Sequence, residues 1–102
     1  TDRDRLLKRL RRNLSAALDP SIPSSTRRRH ARHAAHFAEK LGILSRPSPE
    51  VCERCGSETS LERHHTDYLI PLFITWLCPP CHDIADAEMS GGHIDRDGGW
   101  AA

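Results

Sequence analysis

The sequence predicts a small α+β fold in which two basic helices precede a compact strand–loop–strand–helix segment. Three observations predict it. Leucines and alanines recur at helical spacing over the first 41 residues. All four cysteines fall into two Cys-x-x-Cys pairs, Cys52/Cys55 and Cys78/Cys81, with 22 residues between the pairs. The charge changes sign between the two halves of the chain.

Residues 2–18 read as an amphipathic helix, with Leu6, Leu7, Leu10, Leu14, Ala17 and Leu18 on one stripe. Thr1 or Asp2 is placed to cap its start, and Asp19-Pro20 ends it. Pro20 to Pro23 forms a tight connector. Ser24, Ser25 or Thr26 then caps a second helix that runs to about Leu41, with Gly42 as its stop. Ala31, Ala34, Ala35, Ala38 and Leu41 give this helix a narrow face suited to close packing on the first, so residues 1–44 form a basic helical hairpin. His30, His33 and His36 lie three apart on it and read as exposed side chains, because no Cys or carboxylate neighbours complete a metal site.

Residues 45–50, Ser-Arg-Pro-Ser-Pro-Glu, read as a linker into a segment spanning 51–90. Cys52 to Gly56 fits a tight turn in which Gly56 takes the left-handed backbone conformation. Leu61 to His65 is a short strand, Tyr68 to Pro71 a loop, and Leu72 to Leu77 the most strand-like run in the chain. Pro80 suits the first turn of a helix carrying Cys81, His82, Ile84, Ala85 and Met89, ended by Gly91-Gly92. Tyr68 and Trp76 read as packing side chains, and residues 91–102 as a tail that wraps onto the domain or frays.

A segment this short buries little apolar surface, and a structural metal is the usual remedy. Two disulfides would also use four cysteines, but clustered Cys-x-x-Cys spacing favours a tetrahedral Zn²⁺ held by Cys52, Cys55, Cys78 and Cys81. Such a site implies a reduced, cytoplasmic setting. No run approaches the roughly 20 apolar residues a membrane span needs, and no secretory signal is present, so no membrane partner is expected.

Residues 1–46 carry twelve Lys/Arg against four acidic side chains, a balance of +8, while the remainder carries three Arg against ten acids, or −7. Attraction to phosphate must therefore come from the helices. Arg9 and Arg12 on the first helix and Arg27, Arg28, Arg29 and Arg32 on the second are the candidate nucleic-acid contacts. Arginines in the first turn of a helix oppose its dipole, which points to a partner such as a phosphate backbone, DNA before RNA. The blander reading is a solvated face on a helix docked by its leucines.

A cysteine pair before the first strand and another at the start of the helix describe a zinc-stabilised treble-clef finger. The pattern Cys-x-x-Cys-Gly, His64-His65-x-Asp67-Tyr68, Pro71-Leu72 and Trp76-Leu77-Cys-x-x-Cys-His82 resembles the zinc-knuckle branch of the HNH, or ββα-metal, endonucleases, including small phage-type members. The resemblance covers residues 51–90 and does not extend to the two helices. It implies a ββα-metal finger in which His64 and His82 ligate a second divalent ion (Mg²⁺, Mn²⁺, Ni²⁺ or Zn²⁺) and His65 is the general base of DNA cleavage or nicking. A phage-encoded member would act in the cytoplasm of a bacterial host.

The chain departs from the family at its middle letter: Leu72 to Leu77 stands where an Asn is expected, and the only Asn is Asn13. The helix that starts at the second cysteine pair carries no further His after His82, and Asp83 or Asp86 offers a hard-metal ligand instead. Two further readings follow. One is a non-catalytic adaptor with an inherited finger, binding DNA, RNA or a larger machine such as an RNA polymerase, ribosome or packaging motor. The acidic zinc domain would suit a protein partner of that adaptor. The other is a structural subunit that packs through its leucine stripe.

Overall fold

The computed structural model describes residues 1–89, 94–95 and 99–100. In chain order the elements are α1 (Asp2–Ala17), α2 (Ser24–Lys40), β1 (Glu62–His65), β2 (Ile74–Leu77), α3 (Pro79–Met89), β3 (Ile94–Asp95) and β4 (Gly99–Trp100). β1 pairs with β2, and β3 pairs with β4 antiparallel with Ile94 opposite Trp100. The architecture is small α+β. Gly91-Gly92, expected to end α3, and most of the expected tail lie outside the described residues.

The chain divides into two compact units. The first is Thr1–Arg46 with Asp67–Ile74; the second is Pro47–Thr66 with Thr75–Ala102. The segment 67–74, expected as a loop and strand start of the finger, thus belongs with the helices. Leu72 packs against their core.

In the first unit, the Thr1 hydroxyl caps α1 by accepting from the Asp4 N–H at 3.2 Å. A turn follows in which the Asp19 carboxylate accepts from the Ser21 N–H and hydroxyl at 2.9 and 2.7 Å. α2 has no such cap: Pro23 occupies the position, and neither Ser24, Ser25 nor Thr26 supplies the bond expected of it. α2 ends as a Schellman turn. Gly42 sits at φ 78°, its N–H reaches the Glu39 carbonyl, and the Ile43 N–H reaches the Ala38 carbonyl at 2.9 Å.

Ala31, Ala34, Ala35 and Ala38 are wholly buried, as a close helix–helix contact requires, and Leu10 and Leu41 complete the seam. Leu18, expected on the stripe, is instead the exposed C-cap of α1. Asn13 is buried between the helices. Its amide donates to the Arg9 carbonyl and its oxygen meets His30 Nδ1, both at 2.8 Å. His30 is therefore a half-buried bridging side chain rather than an exposed one, while His33 and His36 are exposed.

The second unit has a thin apolar core of Leu61, Trp76, Leu77 and Ala85 beside three buried cysteines. Both strands are shorter than the runs expected for them. β1 starts at Glu62 because the Leu61 N–H is taken by the Glu50 carboxylate at 2.7 Å. β2 starts at Ile74 because Ile70 and Phe73 close a turn before it. α3 begins at Pro79, which places Pro80 in its first turn as expected, where neither proline needs an N–H donor.

Candidate metal centres

The cysteine pairs meet. Cys52, Cys55, Cys78 and Cys81 are all free thiols, and their sulfurs lie within 4.8 Å of one another. Cys55 Sγ to Cys78 Sγ is 3.7 Å, close to the ~3.8 Å edge of a tetrahedron with Zn–S bonds of about 2.3 Å. The first pair sits in the expected knuckle: Gly56 at φ 77° donates to the Cys52 carbonyl at 3.0 Å, and Val51 bridges Glu58.

Glu53, inside the knuckle, has a role the sequence did not announce. Its N–H donates to the Trp76 carbonyl at 3.0 Å, and its carboxylate accepts from the Trp76 N–H at 2.6 Å. One residue thereby pins the first cysteine pair to the strand that delivers the second. Arg54 adds a two-point contact to Glu88 on α3 at 2.8 and 2.9 Å.

The thiols are not equivalent. Burial pushes Cys52 up, but N–H groups of Cys55, Cys78 and Arg54 outweigh it and bring Cys52 down to about 6. A hydrogen bond with Cys78, then burial, pushes Cys81 up to about 12. Cys55 is lowered as well, by its hydrogen bonds with Ser57, so thiolates form readily at two positions and oppose ionisation at Cys81. A dication relieves that conflict, and an all-thiolate donor set suits Zn²⁺. The four residues fit a structural metal.

A second cluster joins β1 to α3. His64 and His82, with Asp86, each bring one ligand atom within 4.8 Å of the others. His64 Nδ1 lies 3.3 Å from one Asp86 oxygen and His82 Nε2 lies 3.4 Å from the other. Such separations suit ligands at about 2.0–2.1 Å from a shared ion. The histidine rings stand edge to face, 5.3 Å apart. Asp86 follows His82 by one helical turn, so both project from one face of α3.

His64 is 2 % exposed, and its Nδ1 has no partner in hydrogen-bonding geometry. Burial holds its pKa below the ordinary histidine value, against the pull of Asp86. A neutral, buried imidazole with a bare nitrogen facing a carboxylate and a second imidazole suits a divalent ion. His64 also lines a cavity of about 570 Å³ with Glu53, Arg54, Thr66, Thr75 and Leu77 among its walls.

His65, expected as a base, is buried at 3 % exposure and stands outside this cluster. Strand alternation sends it to the face opposite His64. Asp83 is exposed and likewise outside the cluster, so Asp86 is the carboxylate the fold brings to the histidines. The signal for it was present as the i, i+4 spacing from His82.

Among the candidate nucleic-acid contacts, Arg12, Arg28, Arg29 and Arg32 are exposed. Arg9 lies over the Phe37 ring, 5.8 Å from its centre. Arg27 is half-buried with its Nε unpartnered, and with Arg28, Ser24 and Tyr68 it lines a recess of about 290 Å³. Among the described residues no helix is long and apolar enough to cross a membrane. No family model, curated protein or solved structure matches the chain.

Proposed function

We propose that the second unit is a treble-clef finger of the ββα-metal type, with Zn²⁺ in the four-cysteine site. The chain would then be a metal-dependent phosphodiesterase acting on DNA. The observation that carries this reading is the bare, buried Nδ1 of His64 held opposite Asp86 and His82. When bound there, a divalent ion supplies the charge that steadies a scissile phosphate and its leaving oxygen. His64, His82 and Asp86 hold it. A ligand set of two imidazoles and one carboxylate suits Zn²⁺, Ni²⁺ or Mn²⁺ better than Mg²⁺.

The HNH resemblance implies His65 as the base that takes the proton of the attacking water, a role that its place across β1 from His64 does not favour, so it is tested separately. The exposed arginines of α1 and α2 attract the phosphate backbone. The test is nicking of supercoiled plasmid with each of the four ions, in wild type, His64→Ala and His65→Ala. Cleavage that needs a metal and disappears in His64→Ala supports the reading. Cleavage that survives His65→Ala removes His65 from the mechanism and leaves the metal site standing. No cleavage with any ion refutes the enzyme.

The adaptor reading draws on two observations: the −7 balance of residues 47–102, and the exposed Leu69, Ile70 and Phe73 (63 %, 53 % and 59 %). It predicts binding that survives replacement of His64, His65 and His82.

A further inference from the structure

We propose that Glu62 is a positioning residue for the second metal cluster: its carboxylate accepts the hydrogen bond of His82 Nδ1–H and thereby keeps His82 Nε2 bare and turned toward Asp86 and His64. The inference rests on the reading of that cluster as a metal site, and it concerns a side chain outside the ligand set.

The placement follows from two periodicities. On β1, residues two apart share a face, so Glu62 and His64 project the same way. On α3, His82 and Asp86 are four apart and share a face as well. Two side chains from each element therefore meet, and His82 is the one between two carboxylates. Glu62 Oε1 lies 2.8 Å from His82 Nδ1 in hydrogen-bonding geometry, whereas Asp86 Oδ2 lies 3.4 Å from Nε2.

A neutral imidazole has one N–H to give. The shorter, aligned contact claims it, so Nδ1 carries the proton and Nε2 keeps its lone pair. That is the tautomer a ligand at Nε2 needs. A carboxylate behind a ligating histidine also fixes the ring's orientation and raises its basicity, and losing such a partner commonly costs 10–100-fold in metal affinity.

A merely structural role would look different. Glu62 is half-exposed, and an ion pair with that much solvent contributes little to stability. The experiment uses the full chain with only the four-cysteine site loaded, at a pH well above the ordinary histidine range. Long-range ¹H–¹⁵N spectra then read the protonated nitrogen of each ring without any second metal.

His82 should carry its proton on Nδ1 in wild type and in Glu62→Gln, whose amide oxygen accepts the same bond. Glu62→Ala should move the proton to Nε2 in much of the population, with the melting temperature unchanged. Mn²⁺, which avoids thiolates, is then titrated. Its affinity should fall 10–100-fold in Glu62→Ala and stay within a few-fold of wild type in Glu62→Gln.

A wild-type His82 protonated on Nε2, or on both nitrogens, overturns the proposal, as does a proton pattern that Glu62→Ala leaves unchanged. The expected ring pattern in a protein that takes up no Mn²⁺ supports Glu62's hold on the ring and counts against the metal reading instead.

Discussion

Stripping the metal from the four-cysteine site should unfold one unit of this chain and spare the other. Among the described residues of the second unit, Leu61, Trp76, Leu77 and Ala85 are the buried apolar side chains besides the cysteines. Structural zinc in a small finger supplies about 10–16 kcal/mol, as much as the whole stability of a typical domain, roughly 5–15 kcal/mol. Without the ion that unit has no reserve. The first unit holds its own seam with Leu10, Ala34, Ala38 and Leu41.

The helical content sets the size of the effect. α3 contributes 11 of the 44 residues in the three helices, so ellipticity at 222 nm should fall by about a quarter. Chelation with EDTA, followed by circular dichroism and by metal analysis of the desalted protein, checks that loss, and Cys78→Ser should reproduce it. Quantitative metal release with full ellipticity retained would refute the reasoning, because the thiol cluster would then not be what folds α3. Collapse of nearly all the signal would refute it too, by showing that the helix pair does not stand alone.

Four more outcomes are expected. Leu10→Ala should cost about 2–5 kcal/mol of the helix pair's stability through a lost contact and a cavity, measured by thermal or urea unfolding. Glu53→Ala removes a charge-assisted bond worth about 1.5–3 kcal/mol, and should weaken zinc retention against a competing chelator although no ligand has changed. If the arginines grip phosphates, replacing Arg27, Arg28 and Arg29 with Gln should flatten the salt dependence of DNA binding by up to about 0.9 log units per lost contact, seen by fluorescence anisotropy.

The fourth concerns pH, with only the cysteine site loaded. Burial depresses His64's pKa, so the unfolded chain takes up a proton that the folded one resists. Stability therefore falls as pH drops through the ordinary histidine value of about 6.5, and His64→Gln should lose that part of the slope.

Much of this was legible in the chain because it rests on local rules. The Cys-x-x-Cys spacing, with Gly56 behind the first pair, encodes a knuckle in five residues. The alanine face of residues 31–38 encodes a close helix contact, and Gly42 encodes a Schellman stop. The misreadings were also local rules, overridden. Serines stood ready to cap α2, yet Pro23 took the position. Leu72 to Leu77 read as one strand, yet a turn ending at Phe73 detached its first half, and Leu72 went to the helix core. His30 read as exposed until Asn13, seventeen residues away, proved to be its partner.

By itself, then, the sequence determined the thiol set, the two basic helices and the opposite charges of the two halves, because spacing and composition carry those directly. Only the tertiary structure decided which carboxylates attend the histidines. Asp86 rather than Asp83 reaches His64, Glu62 stands behind His82, and His65 turns away. Those choices depend on which face of a strand meets which face of a helix, and packing sets that pairing, not the order of residues along the chain.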